Sequence, residues 1–294
     1  MKKITYLFWV LGLMMAASCN RLDIPGMLIN RSDTEARVAD WLDYDAQNGM
    51  PVINNVPDDY TFYSCSDIHI NSDNSRFAKY ITIERNDPEA AFSIVAGDLA
   101  NEKGDNPYIL ADSAMAFNPL IHNENDPCFP IIGNHDVYYD CAEYFKQHYH
   151  TSTYTVTVNT VSGKKDFFIF LDSGNGTHGE RQLKWLEEQL ANRKQYRYCF
   201  VISHNWLFRT TYNYTTTPAA NLPEDEQYAF LDMMSHNEVD MVIMGHFHYR
   251  DIKTFGGVKY VMTDNLNDGK DEPSYLAVRC ADKITYEYRL LNDE

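Results

Sequence analysis

Five short groups in this sequence carry side chains suited to proton or metal chemistry: Asp67-Ile68-His69, Gly97-Asp98, Gly133-Asn134-His135-Asp136, His204 and Gly245-His246-Phe247-His248. A tight turn has use for the Gly and the Asn of the third group, but none for His135 and Asp136. Leaving those two aside, Asp67, His69, Asp98, Asn134, His204, His246 and His248 form a mixed imidazole and oxygen set. Such donors suit Zn, Mn or Fe, and neither Ca nor a thiolate site. Asp67 and His69 are two residues apart, as are His246 and His248. On an extended segment that spacing sends both side chains to one side, so each pair can approach a metal together. Seven candidate ligands are too many for one ion with an open position and suit two.

The elements that must position these groups can be read from hydrophobic runs. Residues 61–64, 92–96, 129–132, 154–159, 167–171, 199–203 and 241–244 read as strands, alternating with helix-length segments in the manner of an α/β domain. Leu183, Leu186 and Leu190 repeat at helical spacing before Arg193-Lys194, predicting a helix between the fifth and sixth strands. Residues 251–255 and 258–262 flank Gly256-Gly257 as a hairpin, and residues 275–279 and 284–289 read as two further antiparallel strands. Each chemical group then falls just past the carboxyl end of a strand, the edge at which open α/β sheets bind ligands.

At 294 residues the chain can bury a full core, and a formal net charge of -17 argues against a partner held through a broad basic surface, nucleic acid above all. Lys2-Lys3 followed by the apolar run 4–17 reads as an export signal. Ala16-Ala17-Ser18 before Cys19 resembles a bacterial lipoprotein signal, which implies lipidation of Cys19 and a membrane-anchored protein of the cell envelope. Ordinary cleavage would instead leave a periplasmic or secreted protein. The expected organisation is a signal peptide over 1–18, a lipidated tether over 19–58 with a short helix, carrying Val38, Trp41 and Leu42, that packs on the domain, and one domain over 59–294. The remaining cysteines, Cys65, Cys128, Cys141, Cys199 and Cys280, are odd in number and lack a close pair, although Cys128 and Cys141 could join in an oxidising compartment.

With their order and placement, the five groups resemble the calcineurin-like metallophosphoesterase family, over about residues 60 to 290. The resemblance implies a four-layer αββα sandwich with a dinuclear metal centre at the carboxyl edge of the strands. By the same resemblance Asp67, His69, Asp98 and His248 hold one divalent ion, and Asp98 bridges to a second held by Asn134, His204 and His246. His135 is then a non-ligand histidine beside the leaving group, and Asp136 its orienting partner. The implied activity is hydrolysis of a small phosphomonoester or phosphodiester by a water activated between two metal ions (Mn, Zn or Fe). Purple acid phosphatases, a branch of the same superfamily, carry Tyr where this chain has Asn101 and Gly where it has His69. The cyclic-nucleotide phosphodiesterase branch, with its Asp-x-His and Gly-Asn-His-Asp, is closer. For substrate contacts, the Tyr- and Thr-rich segment after His204 offers Trp206 and Tyr212 to stack on an organic group and Arg209 to touch phosphate, and Tyr138 can reach the site from beside His135. A reading of a different class is a non-catalytic binding or scaffold lipoprotein that keeps the fold and its metals. An intact His135 argues against it, because a purely structural site has no need of that residue. The residues leave the oligomeric state open.

Overall fold

Residues 165–170 display the rule that builds the layers. Phe168 and Phe170 join one buried cluster, while Phe167 and Ile169 join another. Side chains alternate across a strand, so a strand apolar at nearly every position must be covered on both faces.

The computed structural model describes residues 24–70, 75–101, 108, 127–138, 141–208, 222–267 and 270–292. Its strands are β1 (Val52–Val56), β2 (Tyr60–Cys65), β3 (Ala90–Val95), β4 (Cys128–Pro130), β5 (Tyr154–Thr160), β6 (Lys165–Phe170), β7 (Tyr198–Ile202), β8 (Met241–Met244), β9 (Asp251–Phe255), β10 (Val258–Met262), β11 (Ser274–Cys280) and β12 (Ile284–Leu290). The helices are α1 (Ile24–Asn48), α2 (Ser75–Asn86), α3 (Cys141–Tyr149), α4 (Gly179–Leu190) and α5 (Glu224–His236). One sheet has seven strands in the order β1-β5-β6-β7-β8-β10-β9, the other five in the order β12-β11-β2-β3-β4. Within them β2, β3 and β4 run parallel, as do β6, β7 and β8. Parallel strands end together, so five of these six carboxyl ends deliver the five groups of interest to one edge.

The sheets meet face to face through aromatic rings. Phe62 of β2 meets Phe168 and Phe200 edge-on at 5.1 and 5.0 Å, and Phe92 of β3 meets Phe168 at 5.1 Å. Such edge-to-face pairs contribute about 0.5–1.5 kcal/mol each beyond their burial. On the outer face of the larger sheet, Trp185, Leu186 and Leu190 of α4 and Phe230 and Met234 of α5 pack with Ile169, Val201, Val242 and Tyr260. Tyr80 of α2 meets Tyr275 of the smaller sheet at 5.6 Å. The result is the expected αββα sandwich.

The amino-terminal segment carries the expected helix packed on the domain, but that helix is longer than expected and a strand follows it. Helix α1 is 25 residues long, Val38 and Trp41 are buried in the main core, and β1 pairs with β5 in parallel. The folded unit therefore begins well before residue 59. The strand escapes a reading of the sequence because only Val56 of its five residues is buried, which leaves no alternation to detect. The third expected strand also stops at Pro130, and Ile131 and Ile132 are buried in the connection that follows. Cys128 and Cys141 are both buried thiols, so the disulfide considered for them is not formed.

Candidate metal centre

The loops after β2 and β3 run side by side. Asp67 N–H donates to Gly97 O at 3.0 Å, Ile68 and His69 N–H donate to Asp98 O at 2.9 and 3.0 Å, and Ile70 N–H donates to Leu99 O at 2.9 Å. The loop after β4 locks onto them: His135 N–H donates to Asp98 Oδ1 at 2.7 Å. From the larger sheet, His246 N–H donates to Asp67 Oδ2 at 2.9 Å. Carboxylates thus stitch loops from both sheets into one edge.

The backbone of these loops corrects one expectation. Asp67, His69, Asp98, His246 and His248 have φ of +52, +52, +53, +87 and +61°, so the two-apart pairs do not sit on extended backbone. Left-handed backbone at a residue with a Cβ costs about 1–3 kcal/mol, and such costs gather at functional sites. Five of the eight non-glycine residues with positive φ among the described residues are these candidate ligands. Two glycines are required nearby for space. A Cβ at Gly97 would overlap the His204 ring, and one at Gly133 would overlap the Asp98 carboxylate and backbone.

The donor atoms converge. Ligand atoms of Asp67, His69 and His248 lie within 4.8 Å of one another, as do those of Asp98, His204 and His246, and those of His69, Asp98 and His135. Asp98 joins the groups, with Oδ2 at 3.2 Å from His204 Nε2 and 3.9 Å from His69 Nε2. Asn134 Oδ1 lies 3.1 Å from His204 Nε2 and 2.8 Å from His246 Nδ1. His69 Nε2 and His248 Nε2 face each other at 3.2 Å, and His248 Nε2 is 3.3 Å from Asp67 Oδ1. The seven residues expected as ligands are all brought together.

This set fits divalent metal. His204 Nδ1 is 2.8 Å from Ala96 O, and since a carbonyl can only accept, Nδ1 carries the proton and Nε2 points its remaining valence at the oxygens of Asp98 and Asn134. Buried Asp67 Oδ1 is approached only by His248 Nε2, at 3.3 Å, and makes no well-aligned hydrogen bond. Burial pushes the Asp98 carboxyl up, but His204, His69 and His135 together hold it well below the usual carboxylate range. Burial likewise disfavours charge on His204, while Asp98 outweighs it and raises the imidazole to about 9. A cluster so strongly polarised in favour of anionic oxygens is one that a dication satisfies.

The remaining expected residues divide. His135 stands in the cluster, its ring centroid 4.5 Å from that of His69 and 5.6 Å from that of half-buried Tyr138. Asp136 has a different employment from that of orienting His135. Its Oδ2 accepts from Gly133 N–H at 2.8 Å and Leu99 N–H at 3.3 Å, and its Oδ1 from Ala100 N–H at 2.9 Å and Tyr108 O–H at 2.8 Å. With four donors on two oxygens, this carboxylate clamps the β3 and β4 loops together; burial and the charge of Asp98 push it up to about 6. Trp206 is 1% exposed and packs against Phe208 in the core behind the sheet, so it presents no face to a substrate. Arg209 and Tyr212 lie outside the described residues, as does Cys19. Ser66 and Tyr108, which bond Asp67 and Asp136, went unread because a lone Ser or Tyr carries no spacing signal. Ser173 and His178, which support His204, follow the carboxyl end of β6, and that shared placement was the available clue.

Comparison with known proteins agrees with the fold. A dimetal phosphatase from Danio rerio superposes with a TM-score of 0.60 at 11% identity, over 79% of this chain and 96% of that one. GAP50, the anchor in the inner membrane complex of Plasmodium, gives 0.58 at 14% identity, over 80% and 85%. A purple acid phosphatase from yellow lupin (Lupinus luteus) seeds gives 0.59 at 13% identity, over 81% of this chain and 53% of that one. At these identities the likeness establishes the fold alone. Curated protein sequences return no match. The family model of the calcineurin-like phosphoesterases matches residues 60–250, which carry every one of the converging ligands, and the chain belongs to that family of metal-dependent phosphoric ester hydrolases.

Proposed function

We propose that this metallophosphoesterase works with two divalent ions on a small phosphomonoester or phosphodiester in the cell envelope. The observation that carries the two-ion reading is the position of Asp98 between two separate ligand groups. Asp67, His69 and His248 would hold one ion, and Asn134, His204 and His246 the other, with Asp98 shared. When bound, the ions supply Lewis acidity to a phosphoryl oxygen and lower the pKa of water. The chain's own residues do the rest. His135, fixed by its N–H bond to Asp98, offers an imidazole proton to the departing oxygen. Asp136 keeps the loop that bears His135 in register with the loop that bears Asp98. Tyr138 flanks His135 where a leaving group would stand.

Hydrolysis of bis-p-nitrophenyl phosphate and p-nitrophenyl phosphate by metal-stripped protein, reloaded separately with Mn, Zn and Fe(II), tests the reading. Metal-restored turnover is expected, and the preferred ester assigns diesterase or monoesterase activity. Two bound ions with no turnover of either ester under any metal would instead support the non-catalytic binding reading.

The envelope location rests on Lys2-Lys3, the apolar run 4–17 and Cys19. Lipid on Cys19, close before the start of α1, would supply the attachment. Cys19→Ala is expected to move the protein from the membrane fraction to the soluble fraction. A variant that remains with membranes would exclude a lipid anchor at this residue.

A further inference from the structure

Residues 172–178, between β6 and α4, add no ligand to the site, yet they contain a buried polar chain that ends on the backbone of His204. Ser173 Oγ accepts from His204 N–H at 3.1 Å and from Asn205 N–H at 3.2 Å. Ser203 Oγ donates to Ser173 Oγ at 3.2 Å, and His178 Nε2 lies 2.9 Å from Ser203 Oγ. The other ring nitrogen, His178 Nδ1, is 3.0 Å from Glu226 Oε1. Glu226 reaches in from the first turn of α5 and also accepts from His178 N–H at 2.6 Å and Thr177 O–H at 2.7 Å. Ser173, His178, Ser203 and His204 are all 0% exposed, and the His178 ring is stacked on Phe230 at 4.9 Å.

A buried N–H without a partner costs about 1–3 kcal/mol, which alone would justify one serine beside His204. It does not account for the chain's extension through His178 to Glu226 on another helix. Every polar atom of that extension fixes its neighbour: Glu226 sets the orientation of His178, His178 that of Ser203, and the serines the path of the chain through His204 and Asn205. The ring of His204 is held separately by Ala96 O. Its backbone is held here.

We propose that Ser173, His178, Ser203 and Glu226 are positioning residues for one metal site only, that of His204, His246 and Asn134, and leave the site of Asp67, His69 and His248 unaffected. The inference rests on the two-ion reading above. Groups that orient a ligand typically cost about 10–100-fold in metal affinity when removed, and the chain touches none of the residues of the other group.

Metal titration of the full protein, with bound Zn or Mn counted after equilibrium dialysis, tests this. Wild type is expected to bind two ions. Ser173→Ala is expected to weaken one of them by about 10–100-fold and leave the other unchanged, so that one ion per chain remains at limiting metal. Glu226→Gln, which keeps the side-chain size, is expected to weaken the same ion by less, and it carries the test should Ser173→Ala fail to fold. Both variants retaining two ions at wild-type affinity, with only the thermal midpoint of the metal-free protein lowered, would reduce the chain to a structural network and overturn the proposal. Equal weakening of both ions would also overturn it. A wild type that binds a single ion would instead remove the two-ion reading itself, a distinct failure.

Discussion

His135→Ala is expected to lower turnover by about 10²–10⁴-fold while metal content stays at the wild-type level. Its imidazole lies in the cluster, edge-on to His69, but it shares a ligand group only with residues that other groups already claim. Without it, Asp67, His69 and His248 still form one group and Asp98, His204 and His246 the other. The backbone N–H that His135 donates to Asp98 also survives the substitution, so the carboxylate keeps its orientation. What is lost is a proton donor beside the leaving oxygen. The effect should therefore grow with the basicity of the leaving group, being smaller for p-nitrophenol esters than for alkyl esters. Metal analysis alongside turnover decides the matter: metal lost in parallel with activity would make His135 a ligand.

Arg37→Ala is expected to destabilise the protein by about 3 kcal/mol, although Arg37 lies far from the ligands in sequence. Its Nε and one terminal nitrogen donate to the two oxygens of Asp172, both at 3.0 Å, and Asp172 is 0% exposed. Removing one partner of a buried ion pair leaves an uncompensated charge, at a cost of about 3–5 kcal/mol. The lower end applies because Trp41 Nε1–H and Gly174 N–H continue to donate to Asp172, at 3.1 and 2.9 Å. Urea unfolding measures the loss, and one under about 1 kcal/mol would mean that water reaches Asp172 once Arg37 is gone. Glu35 from the same helix accepts from the first-turn N–H groups of Glu180 and Arg181, where a carboxylate is favoured by the helix dipole. Helix α1 is thereby fastened at two points around the loop that supports His204. The amino-terminal helix α1 belongs to the scaffold of the site.

Much of this was legible in the sequence. The seven candidate ligands could be named because their types are costly anywhere else: a His or Asp at the end of an apolar strand adds nothing to a turn that Gly and Asn already make. The strands could be named because buried parallel strands are apolar at nearly every position, as β7 and β8 are. Position along the chain then implied position in space, since parallel strands end on a common edge.

What the sequence could not supply are contacts between residues far apart along it. Asp136 reads as a partner for its neighbour His135, but its oxygens accept from the N–H groups of Ala100 and Leu99 once β3 and β4 pair. Trp206 reads as an exposed aromatic after a ligand, but the hydrophobic layer behind the sheet takes it. The two-apart ligand pairs read as extended, but only left-handed backbone at Asp67, His69, His246 and His248 lets loops from two sheets bond one another. Strand β1 carries too little apolar pattern to be read, and its place is decided by pairing with β5. The sequence by itself determined which residues are the candidate ligands and at which edge they gather, because residue type and strand periodicity are local properties. Tertiary structure decided how each ligand is aimed and what holds it there, because hydrogen bonds and burial act between segments that meet only when the two sheets close on one another.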